Sequence, residues 1–123
     1  MSQDYLVRSI DSVASVAARG ADGATMQVLL GRDDGMPRFF IRLFTLAPGG
    51  RIPQHRHDTI EHEQVLLEGE MVLLTEEGER TVHAGNAIYL PPNRFHGYEN
   101  RTDKPAKFIC VVPATEGYET EWK

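Results

Sequence analysis

The sequence is short of cysteine, of basic clusters and of long apolar runs, and each shortage removes a class of protein. The one cysteine, Cys110, leaves no intrachain disulfide, which fits a reducing compartment. Net charge is −5 and Lys and Arg form no cluster, which argues against nucleic acid and against an anionic membrane surface. No apolar stretch approaches the ~20 residues that cross a bilayer. At the N-terminus Asp4 and Arg8 fall where a signal peptide needs an unbroken apolar run. The expectation is a soluble, cytoplasmic chain forming one domain over residues 1–123, with no membrane and no nucleic-acid partner.

Room for long helices is also lacking. Eleven Gly and seven Pro punctuate the chain at short intervals. Only Ile10–Arg19 (IDSVASVAAR) is Ala-rich enough to favour a helix. The remaining stretches read as short strands: Met26–Gly31, Arg38–Ala47, Gln64–Leu74 broken at Gly69, Glu79–His83, Ala87–Leu90, Phe95–Glu99 and Lys107–Val112. Many short strands with turns between them predict an all-β sandwich or barrel. Phe40, Phe44, Tyr89, Phe95 and Phe108 are the candidate core aromatics. Tyr118–Lys123 reads as a terminal tail, with Trp122 folding back onto the barrel or mediating a contact.

What the chain does have is histidine in one place. Three of its five histidines, His55, His57 and His62, lie between Gly49 and Gly69. Residues two apart on a strand share a face, so His55 and His57 present two imidazoles side by side, the spacing a metal requires. A second cluster, GNAIYLPPNRFHGYEN, opens at Gly85 and brings Pro91, Asn93, His96 and Asn100. His83 lies outside both clusters and reads as a surface residue.

Together the two clusters, residues 49–69 and 85–100, resemble the paired motifs of the cupin superfamily. More narrowly, RLFTLAPGG, HEQVLLEG, PPNRFHGYEN and FICVVP resemble a small single-domain bacterial cupin of the four-histidine type. The resemblance implies a double-stranded β-helix, a jelly-roll barrel, holding one divalent transition metal ion. His55, His57, His62 and His96 would be its ligands. Manganese is the first expectation, with iron, zinc, nickel or copper as alternatives. His62 stands where many cupins place a glutamate, and its neighbours Glu61 and Glu63 compete for the role. Counted forward from His57 the motif selects Glu61, and counted back from Gly69, along a continuous strand, it selects His62; with His62 inward, period 2 turns both glutamates outward. Asn93 replaces a usual glycine and tolerates the left-handed backbone that glycine supplies.

Three further residues are candidates for chemistry. Arg42 lies inside an apolar strand, where a charge is costly unless paired; it is either structural or an anchor for an anionic substrate. Cys110 is either a small buried hydrophobe or a thiol lining the metal pocket. Tyr89 is an outer participant. The leading functional expectation is a metal-dependent oxidoreductase of dioxygenase type acting on a small organic molecule. The alternatives are a non-redox isomerase, lyase or hydrolase in which the metal is a Lewis acid, or a non-catalytic module binding a small ligand. The N-terminal third is expected to add strands to a sheet edge, and the chain to form a homodimer.

Overall fold

The computed structural model describes residues 4–115 and 117–123. Ten strands form one antiparallel system, curled into the double-stranded β-helix expected from the motifs. They are β1 Val16–Ala17, β2 Asp22–Leu30, β3 Phe39–His57, β4 His62–Glu68, β5 Glu70–Thr75, β6 Gly78–His83, β7 Ala87–Leu90, β8 His96–Glu99, β9 Ala106–Pro113 and β10 Thr120–Trp122. The hydrogen-bonded order is β6-β5-β8-β3-β9-β4-β7, with β2 and β10 also paired to β3. Among the described residues no helix is long and apolar enough to cross a membrane.

Strand β3 organises the barrel. Its first half pairs with β9, from Phe39 opposite Pro113 to Leu46 opposite Ala106. Its second half pairs with β8, including His55 opposite His96, and with β10. The apolar run RFFIRLFTLA predicts only the first half. The strand continues through Pro48, Gly49, Gly50 and Pro53 because neither proline must donate on a bent, switching strand. A register shift between Ile52 and His55 marks the irregularity around Pro53.

Alternation on β9 builds the core. Ala106, Phe108, Cys110 and Val112 point inward, and Phe108 and Cys110 are wholly inaccessible. Phe108 stacks on Phe44 with ring centroids 5.1 Å apart and packs against Tyr98 at 4.8 Å. Burying a side chain of that size contributes about 3 kcal/mol. Gly69 adopts φ 83° between β4 and β5, and a Cβ there would collide with the Pro105 carbonyl oxygen. Asn93, at φ 62°, takes the left-handed conformation expected of it.

Three sequence expectations fail. Ile10–Arg19 is not a helix: Ile10–Ser12 is one 3-10 turn and Val16–Ala17 is a strand. Ala content favours helix only weakly, and two tertiary contacts override it. The Gln27 amide donates to the carbonyls of Ile10 and Val13, each at 2.9 Å, and β1 pairs with β2. Tyr89 and Phe95 are not core residues. Tyr89 is 58 % exposed, and Phe95 lies half-buried under the Arg56 guanidinium, 4.5 Å from its ring centroid. The N-terminal third does add strands to β3, as expected.

Candidate metal centre and cavity

Four imidazoles converge inside the barrel from three strands. His55 and His57 come from the second half of β3, His62 from the start of β4 and His96 from the start of β8. Their ring centroids form a closed circuit: His55 to His57 5.1 Å, His57 to His62 5.4 Å, His62 to His96 4.9 Å and His96 to His55 4.5 Å. Gly97 makes the His55–His96 approach possible, since a Cβ there would lie 2.7 Å from the Ile52 carbonyl oxygen and 2.9 Å from the Gln54 nitrogen. β8 therefore packs flush against β3 where each carries a histidine.

His55, His57 and His96 offer ligand atoms that all lie within 4.8 Å of one another. His62 falls outside that tighter set, so the mutually close group is three histidines and not the four that the family resemblance implies. His62 is nonetheless buried, and its Nδ1 has no hydrogen-bond partner. Glu63 is exposed and shares a hydrogen bond with Glu61, which raises the Glu63 pKa. Period 2 has turned His62 inward and Glu63 outward, as expected.

Backbone carbonyls orient the three close rings. The Nδ1 of His55 lies 2.9 Å from Pro53 O, that of His96 3.1 Å from Arg94 O, and that of His57 3.4 Å from Glu119 O and 3.1 Å from Thr120 Oγ1. A carbonyl only accepts, so each Nδ1 carries the proton and each Nε2 keeps its lone pair, the arrangement of metal-ligating histidines. Burial lowers the pKa of every one of these histidines. His57 falls to about 4, His96 to about 3 and His62 to about 2, with repulsion from neighbouring imidazoles adding to burial. All are therefore neutral near pH 7, as ligation requires. The donor set and the orphaned His62 nitrogen fit a divalent transition ion.

His55, His57 and His62 line a cavity of about 400 Å³. A polar row along its wall crosses three strands: Arg42 on β3 faces Cys110 on β9, which faces Gln64 on β4. Arg42 Nη2 donates to Cys110 Sγ at 3.4 Å, and Gln64 Nε2 donates to the same sulfur at 3.4 Å. Cys110 is thus both a buried small residue and a cavity-lining thiol. Tyr89 does not line this cavity but lines a smaller one beside His96. It pairs with Glu63 and shares that residue's outward face.

Sequence reasoning missed Gln64, Tyr98, Tyr118 and Thr120 as cavity residues. Gln64 and Tyr98 were accessible to the same period-2 rule, since each lies two residues beyond an inward histidine, His62 and His96. They bond each other at 2.7 and 3.0 Å. Tyr118 and Thr120 carried no local signal, because their segment reads as a tail. Instead β10 pairs with His55–His57. The Tyr118 ring sits 4.6 Å from His57 and the Trp122 ring 4.9 Å from His55. Trp122 folds back, with its ring laid over Gly20. Asn100, the last residue of the second motif, is structural: its amide donates to Leu46 O at 3.1 Å and Lys104 O at 2.7 Å.

Comparison with known proteins agrees with this geometry. The chain is 27% identical over 104 residues to the tetracenomycin polyketide synthase protein TcmJ of Streptomyces glaucescens, covering 85% of this chain and 68% of that one. The polyketide cyclase RemF from Streptomyces resistomycificus superposes with TM-score 0.89 at 27% identity, over 97% of this chain and 85% of that one. A sugar phosphate isomerase of the cupin superfamily from Silicibacter pomeroyi superposes with TM-score 0.80 at 26% identity, over 94% of this chain and 80% of that one. The family model described as "Cupin domain" matches residues 42–112, more than half the chain and the segment that carries all four buried histidines. With barrel, motifs and family model in agreement, the chain belongs to the cupin domain family.

Proposed function

We propose that this chain is a metal-dependent enzyme that carries out a non-redox rearrangement, a cyclisation or isomerisation, on a small carbonyl compound. The observation that carries this reading is the set of three imidazoles whose Nδ1 atoms lie against acceptors and whose ligand nitrogens lie within 4.8 Å of one another. His62 is proposed as the fourth ligand, its Nδ1 having no hydrogen-bond partner. A bound divalent ion would supply Lewis acidity toward a carbonyl oxygen. The protein supplies the rest. The histidines hold charge-neutral donors in place, Phe44 and Phe108 give the substrate an apolar wall, and Trp122 and Tyr118 cover the mouth of the site against water.

Two relatives named for isomerase and cyclase chemistry support this reading over the dioxygenase expectation. Among the described residues no carboxylate lines the cavity. The site therefore offers an electrophile without a strong general base, which suits substrates that enolise readily. Zinc, which has no redox chemistry, should suffice. Benzoylacetone, a 1,3-diketone, should develop its near-ultraviolet enolate band when titrated into the zinc-loaded chain under argon, and lose it on chelation. Dioxygen uptake by an iron- or manganese-loaded form, with no diketone response in the zinc form, would restore the oxidoreductase reading. The homodimer and the cytoplasmic location stand as parts of this proposal, and a sedimentation measurement checks the first.

A further inference from the structure

Arg42 is the cavity residue that the metal reading leaves unused. It lies between Phe40 and Phe44 on the inward face of β3. Its guanidinium sits 5.2 Å from the Phe44 ring centroid, beside the Tyr118 hydroxyl, and donates to the Cys110 sulfur at 3.4 Å. Its Nε is buried and has no partner. Among the described residues no carboxylate forms an ion pair with it, and none lines the cavity. A guanidinium brings five N–H donors and does not lose its charge. A thiol and a phenol are weak, neutral answers to it. Holding a permanent charge in that setting is costly unless something of opposite sign arrives.

The remaining polar groups make no such demand. Gln64 and Tyr98 satisfy each other. The four imidazoles are neutral, and each feels the positive field of Arg42. A divalent ion on neutral ligands would make the cavity more positive still. The missing negative charge has to come from the occupant. A second cavity, of about 530 Å³, adjoins the first and shares Met26, Arg42, Gly117 and Tyr118 with it; its wall also carries Asp33 and Asp34 beside Arg8 and Arg32, and Asp34 pairs with Arg8. Arg42 thus stands at the junction, within reach of a group entering from either side.

We propose that the substrate is a flat, largely apolar organic acid whose carboxylate is held by Arg42 while its other end reaches the histidines. The proposal rests on the metal-enzyme reading for the second contact only. One guanidinium between aromatic walls matches a planar monoanion. A phosphate monoester carries close to two negative charges, more than the Arg42 guanidinium alone neutralises.

Isothermal titration with 2-naphthoate, 2-naphthamide and 2-naphthyl phosphate tests it, in the chelator-treated and the zinc-loaded chain. In the chelator-treated chain the acid should bind at least about tenfold more tightly than the amide, the range of a buried charge-assisted hydrogen bond. Arg42→Gln should abolish that preference and Arg42→Lys should keep part of it. Equal affinity for acid and amide overturns the proposal, as does tighter binding of the phosphate ester. A preference that needs zinc and survives Arg42→Gln also overturns it, while leaving the metal reading in place. An Arg42-dependent preference in a chain that binds no zinc has the opposite meaning. If Arg42→Gln does not fold, the wild-type affinity ratio and Arg42→Lys decide the matter.

Discussion

The outside and the inside of this barrel treat charge in opposite ways. On the surface, arginines are met by carboxylates: Arg101 with Glu79 and Glu99, Arg94 with Glu76, Arg56 with Glu121, Arg8 with Asp34. In the cavity, Arg19, Arg42 and three histidines stand with no acid among the described lining residues. The chain has 18 Asp and Glu, so acids are not scarce; they are kept out. The difference separates a network that serves solubility from one that waits for a ligand.

Removing the metal should produce the largest effect. An ion present at a thousand times its dissociation constant stabilises by about 4 kcal/mol. Chelation should then lower the melting temperature by on the order of 10 °C. An unchanged melt in a chain shown to hold no metal would make the interior an ordinary polar core and remove the contrast.

Acid should act on the inside next. The buried histidines have folded-state pKa values below the 6.5 of the free side chain, first because burial disfavours the cation and then because neighbouring groups repel it. As pH falls below about 6.5, the unfolded chain takes up protons that the folded chain refuses. The metal-free protein should therefore be fully stable above that pH and lose stability steadily down toward pH 4 and below. Denaturant midpoints that stay level from pH 7.5 to pH 5 would show that these rings titrate freely.

A smaller and more selective effect separates neighbours across the sheet. His62→Ala should weaken zinc binding by at least about tenfold, the scale on which metal sites respond to lost support. Glu61→Ala should leave zinc affinity where it was. The reverse result would place the fourth ligand on the glutamate. The least effect belongs to the outside. Arg101→Ala removes contacts to Glu79 and Glu99 that lie in water, where ion pairs contribute little, and its melting curve should overlay the wild type. A large loss there would mean that the surface network carries structural weight too.

Much of the site was legible because alternation carries information over short distances. That His57 shares a face with His55, and that Glu63 turns away once His62 faces inward, follow from period 2; the spacing of the two family motifs supplies His62 and His96. Gln64 and Tyr98 were readable by the same rule applied one step further. The helix expected at Ile10–Arg19 failed because composition says nothing about Gln27, which holds that segment from a distance. Tyr89 lies outside the main cavity, which its aromatic character could not reveal; its pairing with Glu63 on the outward face of β7 does. Trp122 folding back was one of two expectations, but the strand that carries it was not, because β10 is three residues long and is defined by its partner, β3. The length of β3 was hidden by prolines and glycines that usually end a strand.

That one strand carries both Arg42 and the His55–His57 pair. Everything along it is counted in twos. A single residue inserted between Gly50 and His55 would swap the inward and outward sets downstream, sending both imidazoles to the outside and bringing Arg56 in, while the arginine upstream stayed put. Insertions of that kind are tolerable only at hairpin tips such as Thr75–Gly78, where no downstream phase has to be kept. Length variation among relatives that keep this chemistry should therefore gather at those tips and spare the bend of β3.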